Sequence, residues 1–484
     1  MFEEDCTRLE ATPNGAARRL SPAWKRPFDV LALRRVRALL VLGLCFGCVA
    51  LDNTKLVAAM PTFARTYGES AALHWVVESG LLVYASLLLL GGSLSERFGA
   101  RRTLLVGLAI FAAGSVFAAE CTTVGTLIVA RGVVGLGAAL ITPSTLGTLK
   151  HLFDERERPL AIAVWTSAYG VFATLGPVIS GWVLARFAPP SVMLVNLPFV
   201  LVAMAASSQL VPADLPRRLV PLDVTSTVLA FSGTAALLYA ILEGATYGFD
   251  ARAVRLSAVS AVGLYGALVY WTRRAPHPLL DPALFRRVQF RAALIVILLG
   301  YLTFSGVAYV VAQYFQVARG HSAFEAGLRT MPLTLSMLAG NFAAAPVMKW
   351  LGTDRALVAC ALLATFGLVA LTLGSGVPGD LWVCAAQIPF GMGCGGVFVN
   401  ATEAVIGSVP SERAGTAAAI NEGAFEFGGV LGVAVLGAVL GSPLVAPALF
   451  AANAGRALWV GCATVGLAAG VAATLAMVSA KSNG

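Results

Sequence analysis

The chain has 484 residues, of which 58% are hydrophobic and only 12% charged, and it carries a formal net charge of +9. A mean hydropathy of +0.81 excludes an ordinary soluble domain and points to a protein that crosses the membrane many times. The basic residues are spread over short loops instead of forming one patch, which argues against nucleic acid as a partner.

Residues 1–35 are polar and basic and lack the apolar core of a signal peptide. They are expected to form a cytoplasmic, mostly disordered tail, with Trp24 to Val36 suited to lying on the membrane surface. From residue 36 onward, fourteen apolar segments follow, centred near residues 48, 84, 111, 138, 172, 201, 233, 263, 302, 337, 364, 392, 427 and 467. Each has about twenty residues, enough at 1.5 Å per residue to cross a hydrocarbon core of roughly 30 Å. The predicted fold class is therefore an all-α membrane protein with fourteen transmembrane helices. An even number places both termini on one side, and 25 Lys and Arg residues fall on that side against 7 on the other. That imbalance orients both termini toward the cytoplasm.

Five carboxylates lie inside the apolar segments: Asp52, Glu78, Glu403, Glu422 and Glu426. A charge at mid-bilayer depth costs roughly 2.5–3.5 kcal/mol on insertion scales, so such residues face a bundle interior or a water-filled cavity. Glu422 and Glu426 are four residues apart and share a helix face, where mutual repulsion disfavours ionising both together. Glu403 lies nearer the cytoplasmic end of span 12, where solvation is an alternative to function. Glu243 sits beside an outer end of the seventh span. Arg131, inside span 4, needs a partner that the sequence does not identify.

Cysteine and histidine add little chemistry. Most of the eight cysteines lie in spans as small apolar residues, including Cys45 and Cys48, and the four histidines are scattered near span ends. No phosphate-binding loop, paired metal ligands or nucleophile triad stands out, so neither an enzyme, a cofactor nor ATP as energy source is expected. Tryptophans near span ends, among them Trp75, Trp182, Trp271, Trp350 and Trp382, fit an interfacial belt.

The chain also repeats itself. A shift of 256 residues lays Arg131–Gly181 on Gln387–Gly437, pairing Gly135 with Gly391, Gly137 with Gly393, Gly176 with Gly432 and Gly181 with Gly437. Spans 4 and 5 thus correspond to spans 12 and 13. The implied organisation is a tail (1–35), a six-helix half (36–215), an inserted two-helix hairpin (222–274) and a second six-helix half (286–480). Parallel halves of this kind place a substrate near the midplane between them.

Several motifs carry a family resemblance. After span 2 the chain reads Gly91-Gly92-Ser93-Leu94-Ser95-Glu96-Arg97-Phe98-Gly99-Ala100-Arg101-Arg102, which resembles the signature loop of the major facilitator superfamily, with Glu96 in place of the more usual Asp. A degenerate copy, Pro346 to Arg355, follows span 10. Arg131 with Gly132, Gly135 and Gly137 resembles the superfamily's conserved-arginine helix. Gly170, Gly176, Pro177 and Gly181 in span 5 resemble its antiporter motif. Leu51-Asp52-Asn53-Thr54 with Ala58-Ala59-Met60-Pro61, and the linker Pro278-Leu279-Leu280-Asp281, resemble the fourteen-helix drug:proton antiporters. Glu78 and the run Asn421 to Gly429 are similar to the exporters of quaternary ammonium and related lipophilic cations.

The resemblance implies a major facilitator fold of 6 + 2 + 6 helices and proton-coupled efflux of a small amphipathic substrate by alternating access. It implies proton or substrate roles for Asp52, Glu78, Arg131, Glu422 and Glu426. Conformational gating falls to Gly92, Glu96, Arg97, Gly99, Arg101 and Arg102. Protons and membrane lipids are the other implied partners, and a monomer suffices. The chain departs from the cation exporters at two points: Lys55 is placed to pair with Asp52, and span 10 offers Asn341 where some carry an acid. Export of one specific metabolite, anionic or zwitterionic, is the alternative within transport, and a non-transporting membrane sensor the alternative outside it.

Overall fold

The computed structural model describes residues 30–67, 75–212, 223–248, 250–275, 282–377, 379–441 and 446–482. The expected tail as far as residue 29 and the Pro278–Asp281 linker lie outside the described residues. Among the described residues, fourteen helical segments are long and apolar enough to cross a membrane. They are built on α1 (Val30–Tyr67), α2 (Trp75–Phe98), α3 (Ala100–Ala119), α4 (Val124–Leu152), α5 (Arg158–Leu184), α6 (Leu197–Leu210, lengthened into a span by the 3-10 helix Pro189–Asn196 before it), α7 (Val224–Tyr247), α8 (Arg252–Thr272), α9 (Val288–Gln313), α10 (Ala323–Leu351), α11 (Thr353–Gly374), α12 (Leu381–Gly407), α13 (Ala414–Leu440) and α14 (Pro447–Ser482). No strand occurs among the described residues. Val30–Val36 is continuous with the first span, so that part of the expected surface segment belongs to α1.

Helix boundaries follow local chemistry. Thr123 accepts from the Thr126 amide at the start of α4, and Asp223 accepts from Ser226 at the start of α7. Ser322 and Glu325 form a reciprocal capping box on α10, which satisfies amide donors that a helix start leaves open. Gly99 and Gly352 hold φ of 94° and 77° between α2 and α3 and between α10 and α11. Only glycine adopts such angles without strain, and these turns occupy matching places in the signature loop and its degenerate copy.

The helices pack as two six-helix halves with the α7–α8 hairpin between them. In the first half α1 packs on α5, and α4 on α2 and α3; in the second α9 packs on α13, and α12 on α10 and α11. The repeat glycines mark equivalent crossings. Gly135 lies against the Gly80 carbonyl of α2, and Gly391 against the Leu333 carbonyl of α10. Gly137 abuts Phe111 of α3, and Gly393 abuts Ala364 of α11; Gly176 abuts Thr54 of α1, and Gly432 abuts Leu302 of α9. Each leaves no room for a Cβ, which is how small residues let membrane helices approach closely. Gly181, by contrast, has open space where a Cβ would go.

The halves meet where α2 and α4 pack on α13 and where α5 packs on α10 and α12. The hairpin joins the first half through Trp75, whose Nε1 donates to Glu243 at 2.9 Å and whose ring stacks on Tyr239 at 5.7 Å. Trp75 therefore connects helices, whereas Trp182, Trp271, Trp350 and Trp382 are exposed as a belt requires. Glu243 is a buried acceptor in that contact.

Candidate functional site

Two groups of interior charges hold the residues expected to couple protons or substrate. In the first half, Asp52 sits on α1 with 3% exposure and is surrounded by donors. Arg131 Nη1 of α4 donates to its Oδ2 at 2.5 Å, while Asn196 Nδ2 donates to its Oδ1 at 2.8 Å. Lys55 Nζ lies 3.1 Å from the same Oδ1 and donates to the Met193 carbonyl at 3.2 Å. Arg131 Nε is satisfied by the Val76 carbonyl of α2. The partner that Arg131 requires is thus Asp52, and Lys55 pairs with Asp52 as its spacing suggests. A single carboxylate serves two cations, both with essentially no exposure. Glu78 lies two residues beyond Val76 on α2 and is half-buried.

The second group lies on α13. Glu422 is buried and accepts from Asn421 Nδ2 at 3.0 Å, and Glu426, one turn on, is half-buried. Tyr84 of α2, Tyr169 of α5 and Tyr301 of α9 all lie within electrostatic reach of both carboxylates. Tyr84 and Tyr169 belong to one half and Tyr301, with the two acids, to the other, so the carboxylates sit at the seam. Aromatic rings pack around these tyrosines. Tyr301, Phe398 and Phe425 form mutual edge contacts at 5.2–5.4 Å, and Phe46 stacks on Trp165 at 3.9 Å and meets Tyr169 at 4.7 Å.

The signature loop closes one end of the seam. Glu96 Oε1 accepts from the Thr416 amide at 2.6 Å, in the first turn of α13, where the helix dipole and open amides favour an anion. Gly92 makes this approach feasible: a Cβ there would lie 2.5 Å from the Gly415 carbonyl. The loop's arginines have other neighbours. Arg101 donates to the Ser208 carbonyl of α6, Arg97 lies over the Phe98 ring at 5.3 Å, and Arg102 is exposed. The acid reaches across the seam, whereas these contacts of Arg97 and Arg101 lie within their own half.

Further contacts at this end were not evident from sequence. Lys150 donates to the Ile406 and Val409 carbonyls, and Arg158 Nη1 donates to Glu403 at 2.8 Å. Glu403 is buried and paired, not solvated. Higher in the seam, Asn341 Nδ2 donates to Ser167 at 3.3 Å. All the hydrogen bonds between the halves among the described residues lie in the part of the bundle toward Gly99. Lys150 and Arg158 read in sequence only as loop charges; burial of their partners turns them into clamps. In the antiporter motif, Gly176 is tightly packed and Pro177 lies inside α5, whereas Gly170 meets only Met337 Cε at 3.9 Å.

Two parallel six-helix halves with charged groups buried in each and at their seam define a multi-pass membrane transporter. Residues 42–433 match the family model of the Major Facilitator Superfamily, and the chain belongs to that superfamily. It is 32% identical over 407 residues to the multidrug efflux pump LfrA of Mycolicibacterium smegmatis, covering 83% of this chain and 80% of that protein. It is 31% identical over 401 residues to the tetracenomycin C resistance and export protein of Streptomyces glaucescens, covering 81% and 74% respectively. Among solved structures, the human organic anion transporter MFSD10 (TETRAN) shares the fold with a TM-score of 0.65 at 16% identity, over 90% of this chain and 99% of that one.

Proposed function

We propose that the protein exports amphipathic small molecules in exchange for protons, as a monomer in a bacterial-type inner membrane with both termini cytoplasmic. The observation that carries this reading is the placement of Glu422 and Glu426 at the seam, within reach of tyrosines from both halves. Carboxylates there can exchange a proton for a cationic or polar substrate as the halves rock. The relatives named for multidrug efflux and for export of tetracenomycin C support the substrate class. Basic-residue placement supports a cytoplasmic Gly99 end, and in this reading the closed seam corresponds to the outward-facing state of an alternating-access cycle. Asp52 is held between Arg131 and Lys55 and acts in this reading as a fixed counter-ion, leaving the exchangeable protons to the α13 acids, with Glu78 and Arg131 beside the path.

Purified protein in liposomes with an imposed pH gradient, offered a panel of cationic, neutral and anionic amphiphiles, tests the proposal. Transport of at least one amphiphile that stops when a protonophore collapses the gradient is expected. Transport indifferent to the gradient would refute proton coupling, and absence of any flux would favour a sensor. A second reading, export of one anionic or zwitterionic metabolite, is favoured by the two cations facing one acid at Asp52. Selective transport of anions in the same panel would establish it.

A further inference from the structure

Behind the seam, the α7–α8 hairpin borders an open cavity of about 760 Å³ between itself and α2, α9 and α13. That volume is within the roughly 300–1,000 Å³ of small-ligand sites. Its walls are apolar, as at Ala230, Leu268, Leu294 and Phe427. On α13 they extend from Ala419 to Leu431, about 18 Å at 1.5 Å per residue. One leaflet of a hydrocarbon core of roughly 30 Å has about that depth.

The mouth differs from the walls. Thr272 and Arg273 stand there, at the C-terminal end of α8. Arg273 is exposed, and the Thr272 hydroxyl is enclosed without a hydrogen-bond partner. An unpaired buried hydroxyl costs free energy unless a ligand supplies the partner. Deeper in, Thr234 and Tyr265 pair with each other at 2.9 Å. Ser86, with 4% exposure, also lacks a partner for its hydroxyl, and a hydrocarbon chain alone leaves it so.

We infer that this cavity binds an anionic phospholipid, with one acyl chain between the hairpin and the halves, its phosphate at Arg273 and an ester oxygen at the Thr272 hydroxyl. A tail-length apolar shaft with a cation and an unsatisfied donor at its interfacial mouth matches that chemistry along its length, and basic pockets between membrane helices are suited to lipid headgroups. The lipid would tie the hairpin to α2 and α13, which must part when the halves rock.

The test uses purified full-length protein and phosphatidylglycerol or phosphatidylcholine carrying a photoreactive group in the acyl chain, with labelled peptides mapped by mass spectrometry. Phosphatidylglycerol is expected to label α7, α8 and α13 about fivefold more than phosphatidylcholine, and Arg273→Glu to remove that preference. Ala230→Trp, which fills the shaft, is expected to abolish labelling by both lipids. Ala424→Phe repeats this from the opposite wall if the first variant fails to accumulate. Ser86→Ala should leave labelling unchanged, because a tail makes no hydrogen bond there. A severalfold loss with Ser86→Ala would indicate a ligand with a deep polar group and overturn the assignment. So would equal labelling by the two lipids, or a preference that survives Arg273→Glu.

Discussion

Lys150 bonds to the main-chain carbonyl of Ile406, the residue that holds its own place in the other half, 256 positions away. Contact between repeat counterparts places the pair on the pseudo-two-fold axis, and the second bond, to the Val409 carbonyl, neutralises open carbonyls at the end of α12. Beside it, Arg158–Glu403 is an enclosed ion pair between the halves.

Breaking that pair is expected to open the closed end. Removing one partner of a buried ion pair costs about 3 kcal/mol or more, roughly a hundredfold in an equilibrium. Glu403→Gln and Lys150→Met should therefore raise alkylation of a cysteine placed at Ala418, within the closed end, while the protein remains folded. The charge swap Arg158→Glu with Glu403→Arg should restore protection. Unchanged alkylation in both single variants would remove these contacts from the gate.

A side chain at Gly92 should act in the same direction through sterics. With a Cβ 2.5 Å from the Gly415 carbonyl, Gly92→Leu cannot form the closed end and should trap the opposite conformation with turnover lost. Glu96→Gln, which keeps a hydrogen bond but loses the charge at the start of α13, should reduce turnover more mildly, by about 1 kcal/mol in activation free energy. Substrate binding at equilibrium should survive Glu96→Gln. Loss of binding with normal turnover would contradict a gating role.

The fourteen helices and their repeat were legible because a membrane span is long, uniformly apolar and bounded by charge. The repeat glycines were legible as a pattern; that Gly135 and Gly391 meet equivalent neighbours required coordinates. Pairings across the fold were less accessible. Asn196 is one of many polar residues at helix ends, and nothing local marks it as a donor to Asp52, 144 positions away. Lys150 and Arg158 satisfied the positive-inside pattern, and that sufficient explanation concealed their clamping contacts.

Asp52 is expected to matter first for stability. Asp52→Asn leaves Arg131 and Lys55 buried without their shared counter-charge, at a cost of about 3–5 kcal/mol, so accumulation in the membrane and thermal stability should fall sharply. Lys55→Met removes one of the two cations and should be tolerated far better. If Asp52→Asn accumulates with normal thermal stability while proton coupling is lost, Asp52 is an exchange site and not a fixed counter-ion.

At the opposite end of the bundle, Asp380 lies in the turn before α12. Burial raises its pKa, but this is outweighed by Arg329 Nε at 2.7 Å and His321 Nε2 at 2.7 Å, and the net shift is downward. A depressed folded-state value means that the contribution to stability is fully present above the unfolded carboxyl pKa of about 3.9 and is lost as pH falls through the lower folded value. Between pH 7 and 5 Asp380 should therefore stay ionised. A carboxyl NMR titration should find its midpoint below that of Asp380 in Arg329→Ala, and a higher midpoint in the wild type would contradict the assignment.

Glu422 and Glu426 supply the decisive test of coupling. They are one helical turn apart on α13, within electrostatic reach of tyrosines of both halves, and two carboxylates so placed are expected to titrate as a coupled pair. In the proposed cycle a substrate entering the seam would displace that shared proton, and rocking would deliver each to the opposite side. Glu422→Gln and Glu426→Gln should each weaken or abolish substrate-induced proton release from purified protein, and the double variant should be inactive in gradient-driven export while still folded in the membrane. Because glutamine preserves volume and hydrogen bonding, loss of coupling in a folded variant isolates the charge as the cause. Wild-type proton release in the folded double variant would take both residues out of the mechanism and move the proton site to Asp52 and Glu78.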